Sequence, residues 1–116
     1  MVNCSSNQKA IQIVRRYTIC PYEESVTIYE KVEESYQIRY TIQGEYNEEY
    51  YEEEYIICVN PACYKIVMED SYGDSWSNNS AMDLYDMNTT ELIKSYHMNE
   101  NSKQIEYISF GESCEE

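Results

Sequence analysis

A chain of 116 residues can build one domain with a modest core and is too short for two. Its net charge of −14, from 22 acids against 8 bases, excludes nucleic acid and anionic membrane surfaces as partners. No stretch approaches the ~20 consecutive apolar residues that cross a bilayer, so no membrane insertion is expected. The charge is unevenly spread. Residues 1–22 contain no acid and three bases, Lys9, Arg15 and Arg16, which leaves 22 acids against five bases, or −17, on the rest. Fourteen tyrosines against one Phe and one Trp, with many Ile, Val and Thr, argue for an all-β protein, because Tyr packs its ring on a half-buried sheet and keeps its hydroxyl wet.

In chain order, Met1 to Ala10 lacks the charged and apolar regions of a signal peptide, which leaves a cytosolic protein or a numbering that begins inside a longer precursor, and the cysteines and sequons below favour the second. Residues 8–19 (QKAIQIVRRYTI) read as a strand with Ile11, Ile13, Arg15, Tyr17 and Ile19 on one face. Ala10, Ile13, Val14 and Tyr17 would also make a short helical stripe, but the clustered β-branched residues decide for strand. Cys20-Pro21 ends it, since Pro cannot continue a ladder. This sets a boundary between a basic strand arm, 1–22, and a sandwich domain, 23–116. Further strands are expected at 25–32 and 35–43. The second of these alternates Tyr36, Ile38, Tyr40 and Ile42 against Gln37, Arg39, Thr41 and Gln43. Residues 45–54 (EYNEEYYEEE) hold six glutamates and read as a solvated loop or edge whose tyrosines could also support a carbohydrate or protein contact. Tyr55–Val59 and Cys63–Met68 then read as a hairpin around Asn60-Pro61. Strands at 81–85, 91–96 and 104–110 follow, and a polar tail carries Cys114.

The stretch Cys63 to Trp76, CYKIVMEDSYGDSW, is a strand running into an acidic turn with Asp70 and Asp74 at its ends and Gly73 inside. Asp side chains cap backbone N–H groups two residues on, and Gly takes the positive φ that other residues resist. These residues resemble the CYxFxIxDSYGDGW signature of small β-sandwich modules of secreted and cell-surface proteins. The likeness continues upstream, where Cys58-Val-Asn-Pro-Ala-Cys63-Tyr64 is similar to that family's Cys-x-x-Pro-x-Cys-Tyr opening, and downstream in Ile105 to Phe110, which is similar to its closing strand. It is specific over 54–76, loose over 24–110 and absent before Tyr22. Ser75 stands where the family carries a second Gly, a departure inside the turn. The resemblance implies a β-sandwich and a secreted setting, not one function.

Among the five cysteines, Cys58 and Cys63 flank the Asn-Pro turn and are expected to bond across it. Their spacing also allows half a metal site, but His97 is the only histidine and no second pair completes one. Cys20–Cys114 is the expected second bridge, with Cys4 left for a neighbouring chain. Asn-x-Ser/Thr acceptors occur at Asn3, Asn78 and Asn88, so N-linked glycans are expected, most clearly at Asn78 and Asn88 in polar loops. Disulfides and sequons together favour an extracellular, secreted protein. Asp70 and Asp74, with Glu69 and Asp83 as extras, are candidates for Ca²⁺, which takes six to eight oxygens; the same two Asp also serve as caps of the turn.

No enzyme is expected. The single His has no placed partner, the three glycines are isolated, and nothing singles out a carboxylate pair from the surplus. The expected fold is one all-β, jelly-roll-like antiparallel sandwich of about seven or eight strands over 24–110. Tyr36, Ile38, Tyr40, Ile42, Ile66 and Met68 are expected to point inward or lie half-buried. Two functions fit. The first is a self-associating, extracellular filament subunit whose N-terminal strand, through Ile11, Ile13, Arg15, Arg16, Tyr17 and Ile19, is donated to the next subunit or folds back as an edge strand. The second is a secreted carbohydrate- or protein-binding adhesion module, Ca²⁺-dependent if the Asp70–Asp74 turn holds the ion.

Overall fold

The computed structural model describes residues 3–111 and Cys114. Eight strands run in the order β1 (Lys9–Tyr17), β2 (Glu24–Val32), β3 (Ser35–Gln43), β4 (Tyr51–Val59), β5 (Ala62–Asp70), β6 (Ala81–Asp86), β7 (Leu92–Tyr96) and β8 (Lys103–Phe110), with a 3-10 turn at Pro21–Glu23. They form two four-stranded antiparallel sheets, β4-β1-β6-β7 and β3-β2-β5-β8, packed as a sandwich. Only β2–β3 and β6–β7 are hairpins. Every other connection crosses from one sheet to the other.

Period-two burial makes the layers. Ile11, Ile13, Val26, Ile28, Val59, Tyr64, Ile66, Met68, Met82 and Leu84 point between the sheets, while their sequence neighbours face out. Seven of the eight strands fall within 24–110; the eighth is β1.

Two expectations about local geometry change. The clean alternation of β3 does not give one apolar face. Ile28 pairs with Tyr40 but Tyr29 pairs with Ile38, so Arg39 is an extra residue and the register shifts there. A bulge flips every side chain on its far side. Tyr40 and Ile42 therefore face the core, whereas Ile38 is 61% exposed on the outer surface and Tyr36 lies beside it. Second, Tyr55–Val59 and Cys63–Met68 are not a hairpin. Asn60 and Pro61 turn a corner from β4 in one sheet to β5 in the other.

Candidate functional site

The N-terminal strand sits neither free nor at an edge. β1 is the second strand of its sheet, laddered to β4 from Lys9↔Val59 to Tyr17↔Tyr51 and to β6 from Ile11↔Asp86 to Arg16↔Ala81. The strand of the expected arm, Lys9–Tyr17, is therefore an interior strand of the sandwich, because an unpaired strand with Ile11, Ile13 and Tyr17 on one face gains more from burial than from water. Ile11, Ile13, Arg15 and Tyr17 are almost completely buried. Ile19 lies past the end of the strand and is 46% exposed, so it does not share that face.

All three bases of the segment meet acids of the body. Lys9 Nζ lies 2.9 Å from Asp86 on β6, and Arg16 reaches Glu52 on β4 at 3.1 Å and Asp83 on β6 at 3.5 Å. The third pair is buried. Arg15 Nη2 donates to Glu24 Oε1 at 2.6 Å, with both side chains essentially without solvent contact. Arg15 Nη1 donates to the carbonyls of Arg16 and Ala81, and the guanidinium lies 4.1 Å from the Tyr17 ring centroid and 3.9 Å from that of Trp76. The second oxygen of Glu24 accepts from Ser77 N and Ser80 Oγ. Burial pushes the Glu24 carboxyl up, while the Ser77 N–H and the Arg15 charge hold it down. Arg15 Nε and the Tyr17 hydroxyl are buried without a partner among the described residues, and burial raises the Tyr17 hydroxyl pKa.

Between β1 and β2 lies a short connection, residues 18–20, before Pro21. Cys20 holds left-handed φ and ψ of 52° and 50°, a conformation that costs a non-glycine residue about 1–3 kcal/mol. The connection is pinned from outside. Thr18 O accepts from Tyr50 N, Ile19 O from Ser77 Oγ, and Cys20 N donates to Glu49. Pro21 is buried against Gly44, where a Cβ would lie 2.1 Å from the Pro21 carbonyl oxygen, so only glycine fits at the end of β3.

The disulfides pair differently from the expectation. Cys4 bonds Cys58 and Cys63 bonds Cys114, while Cys20, in the connection between β1 and Pro21, is a free thiol. The corner at Asn60-Pro61 explains why Cys58 and Cys63 cannot meet. Cys58 faces outward from the β1 sheet, level with Ala10, and Cys63 faces outward from the other sheet, level with Ser109. Each instead staples a chain terminus to its own face, so Cys114 is not available to Cys20 and Cys4 closes within the chain. Desolvation raises the Cys20 thiol pKa, helped by Glu23.

At the same end of the sandwich, one carboxylate oxygen from each of Glu23, Asp70 and Asp74 lies within 4.8 Å of the others. Asp70 Oδ1 accepts from Tyr72 N and Asp74 N, the capping role the turn calls for. Ser75 takes the positive φ of 68° at the position where the resembling family has Gly. Burial raises the Asp70 and Glu23 pKa values, and Asp74 adds to both. These three carboxylates could hold a divalent cation. Glu69 and Asp83 do not join them. Glu69 faces outward opposite Lys103, and Asp83 lies on the other sheet, bonded to Arg16 and Ser95. Of the sequon residues, Asn3, Asn78 and Asn88 are exposed, but the hydroxyl of Ser80, which completes the Asn78 sequon, is buried against Thr18 and Glu24.

Compared with family models, curated proteins and solved structures, the chain matches none.

Glu23 and Glu24 were not among the residues the sequence singled out, and Gly44 was expected only to end β3. Glu24 carried one usable signal. It falls in phase with Val26 and Ile28 on β2, so a charge was due to be buried, and Arg15 on the buried face of β1 was the base to match it. Glu23 carried no such signal, and the close approach of Gly44 to Pro21 was not legible, since both come from the corner that folds Pro21 under β3.

Proposed function

We propose that the protein is an extracellular structural subunit that assembles head-to-tail by placing β1 in the sheet of the next copy. One observation carries the reading. The N-terminal strand fills an interior slot between β4 and β6, neither of which adjoins it in sequence, and each of its three bases meets an acid there or on β2. Once the Cys4–Cys58 bridge is open, residues 18–20 are the link that joins this strand to β2 and the rest of the body. Removing it opens the edges of β4 and β6 and the core beneath them, a groove that the same strand from another copy satisfies in the same register. The closed and exchanged forms share these contacts and differ mainly at the hinge, and short strained hinges favour exchange. Cys20 in a left-handed conformation before Pro21 is such a hinge.

Two supports are independent of topology. A body of −17 attracts a strand of +3, which speeds encounter and fixes register. Two disulfides suit an oxidising compartment, and no helix among the described residues is long and apolar enough to cross a membrane. In the exchanged form Cys4 of the donor meets Cys58 of the acceptor, so the bridge becomes a covalent link between copies. Because donor and groove differ, the contact repeats into a fibre unless its rotation closes a ring. Deleting residues 1–20 is the test. Loss of polymers, with polymerisation of the full chain under the same conditions, is expected; a truncated chain that polymerises unchanged, or a full chain that stays monomeric, removes β1 from the mechanism.

A further inference from the structure

Beside the connection from β1 to β2 lies an open cleft of about 460 Å³, within the size range of small-molecule sites. Its walls are Thr18 and Ile19 of the connection, Tyr50 at the entry to β4, and the 74–79 loop. Both disulfides sit at the opposite end of the sandwich, near the Asn60-Pro61 corner, so Cys4 and Cys114 are held far from it. Six non-glycine residues among those described hold a left-handed φ, and three of them line this one cleft: Tyr50 at 56°, Ser75 at 68° and Asn79 at 69°. Ser75 recovers a hydrogen bond, from its Oγ to the Met98 carbonyl. Tyr50 and Asn79 recover nothing through their side chains. The Tyr50 N–H donates to the Thr18 carbonyl, but that bond needs no ring. The ring itself is 71% exposed, and its hydroxyl has no partner among the described residues. The carboxamides of Asn79 and its neighbour Asn78 are likewise exposed and unbonded among the described residues. A bulky side chain that is both strained and uncovered is not explained by folding, and such strain collects where a ligand is held.

The chemistry of the walls selects the ligand. Asp74 is the one charged side chain lining the cleft, and Arg15, stacked on Trp76 from the buried side, is held by Glu24. An anion therefore finds no base there. A small cation is drawn to Asp74 with Glu23 and Asp70, and those two do not line the cleft. A hydrocarbon would cover Asn78 and Asn79 without offering them a hydrogen bond. A sugar ring suits both parts of the wall. Its C–H face lies on the Tyr50 ring, and its hydroxyls donate and accept in turn, as the two carboxamides do. We propose that this cleft is a saccharide site for neutral sugar units, with Tyr50 as the stacking platform and Asn78 and Asn79 as the hydrogen-bonding residues. The sugar can come from two sources. Asn78 is itself a sequon asparagine, so a glycan attached to it starts from the cleft wall, whereas a chain without one takes its saccharide from outside. The site belongs to the closed sandwich and does not depend on strand donation.

The experiment uses the full oxidised chain, with the Cys4–Cys58 bridge closed within each molecule, from a host that attaches no N-glycans. Trp76 is the one tryptophan and lines the cleft, so its emission and the backbone amide resonances of 74–79 report on this site. Titration with N,N′-diacetylchitobiose, mannobiose and cellobiose should move both signals, with a Kd of about 1 mM or tighter for at least one of them. Tyr50→Gly, which suits the left-handed backbone, should weaken binding about tenfold or more while the melting temperature holds or rises. Tyr50→Phe keeps the ring and should stay within about twofold of wild type. Asn79→Gly keeps the backbone, removes the carboxamide and should weaken binding about tenfold. In a host that does attach N-glycans, a chain occupied at Asn78 should show the moved signals without added sugar, and Asn78→Gln should reverse them, if its own glycan fills the cleft. A chain that is left unmodified there, or that still binds added disaccharide, assigns the site to external sugar. No response to any of the three disaccharides up to about 10 mM would overturn the proposal. So would a Tyr50→Gly chain that binds like wild type or loses stability, or a neutral peptide that binds where all three sugars fail.

Discussion

Replacing Arg15 by Met removes the charge that joins β1 to β2 and keeps most of the aliphatic stem. Three hydrogen bonds disappear, to Glu24 and to the carbonyls of Arg16 and Ala81, together with stacking on Tyr17 and Trp76. Glu24 stays buried with Ser77 N and Ser80 Oγ as its only donors. Breaking a buried pair from one side costs about 3–5 kcal/mol, against a total of about 5–15 kcal/mol for a domain. The loss should also depend on pH. Burial already raises the Glu24 carboxyl pKa, and Arg15 is one of the groups that lower it, so the variant raises it further. A carboxyl raised in the folded state favours folding where it is protonated, and that contribution is lost as pH rises through the folded value. Stability of Arg15→Met should therefore fall with pH, by up to about 1.4 kcal/mol per pH unit, across the window between the unfolded and folded values. Urea denaturation of both proteins at about pH 5 and pH 7 should show the smaller difference at the lower pH. Adding Glu24→Gln, which keeps an acceptor for Ser77 and Ser80 without the charge, should recover part of the loss. A loss under about 1 kcal/mol, or one that does not change with pH, would refute the assignment of Arg15–Glu24 as a dry, mutually dependent pair.

Three further outcomes follow from the packing. Cys4→Ser or Cys63→Ser should each lower stability by about 4 kcal/mol, because their bridges close loops of 54 and 51 residues, whereas Cys20→Ser should change it little; guanidinium melts of unreduced protein check this. Ile38→Thr should stay within about 0.5 kcal/mol of wild type, while Ile66→Ala at a site 1% exposed should cost about 2–5 kcal/mol. In the Glu23, Asp70 and Asp74 cluster the raised carboxyl groups bind more protons folded than unfolded, so this cluster's contribution to stability falls as pH rises through the folded values. Asp74→Asn should then raise the melting temperature at neutral pH, and Ca²⁺ should raise it in the parent protein but not in the variant; a thermal shift series in pH and Ca²⁺ reads both.

The sandwich was legible because strands declare themselves locally, through alternation and β-branched runs such as Ile11 to Val14 and Cys63 to Met68. The turn at Asp70 was legible for the same reason, since Asp and Gly carry turn chemistry in their own side chains. What failed was everything set by which sheet a strand joins. Cys58 and Cys63 are five residues apart and read as partners, yet a corner sends them to opposite outer faces. The period of β3 predicted one apolar face, and a single extra residue, Arg39, divided it. For β1 the composition showed a basic, one-sided strand in need of cover. It did not show an interior slot, because β4 and β6 become its neighbours only after the chain has crossed between layers.

The central claim, that β1 serves the next copy, is tested most directly by following the Cys4–Cys58 bridge between chains. Unlabelled and ¹⁵N-labelled protein would be mixed reduced and unfolded, refolded and oxidised together, and assembled. The Cys4–Cys58 linked peptides would then be isolated without reduction and weighed. With equal amounts of each form, strand donation predicts that about half of these linked pairs carry one light and one heavy partner. If polymers form while every Cys4–Cys58 pair is wholly light or wholly heavy, each strand has stayed in its own sandwich and the account is wrong.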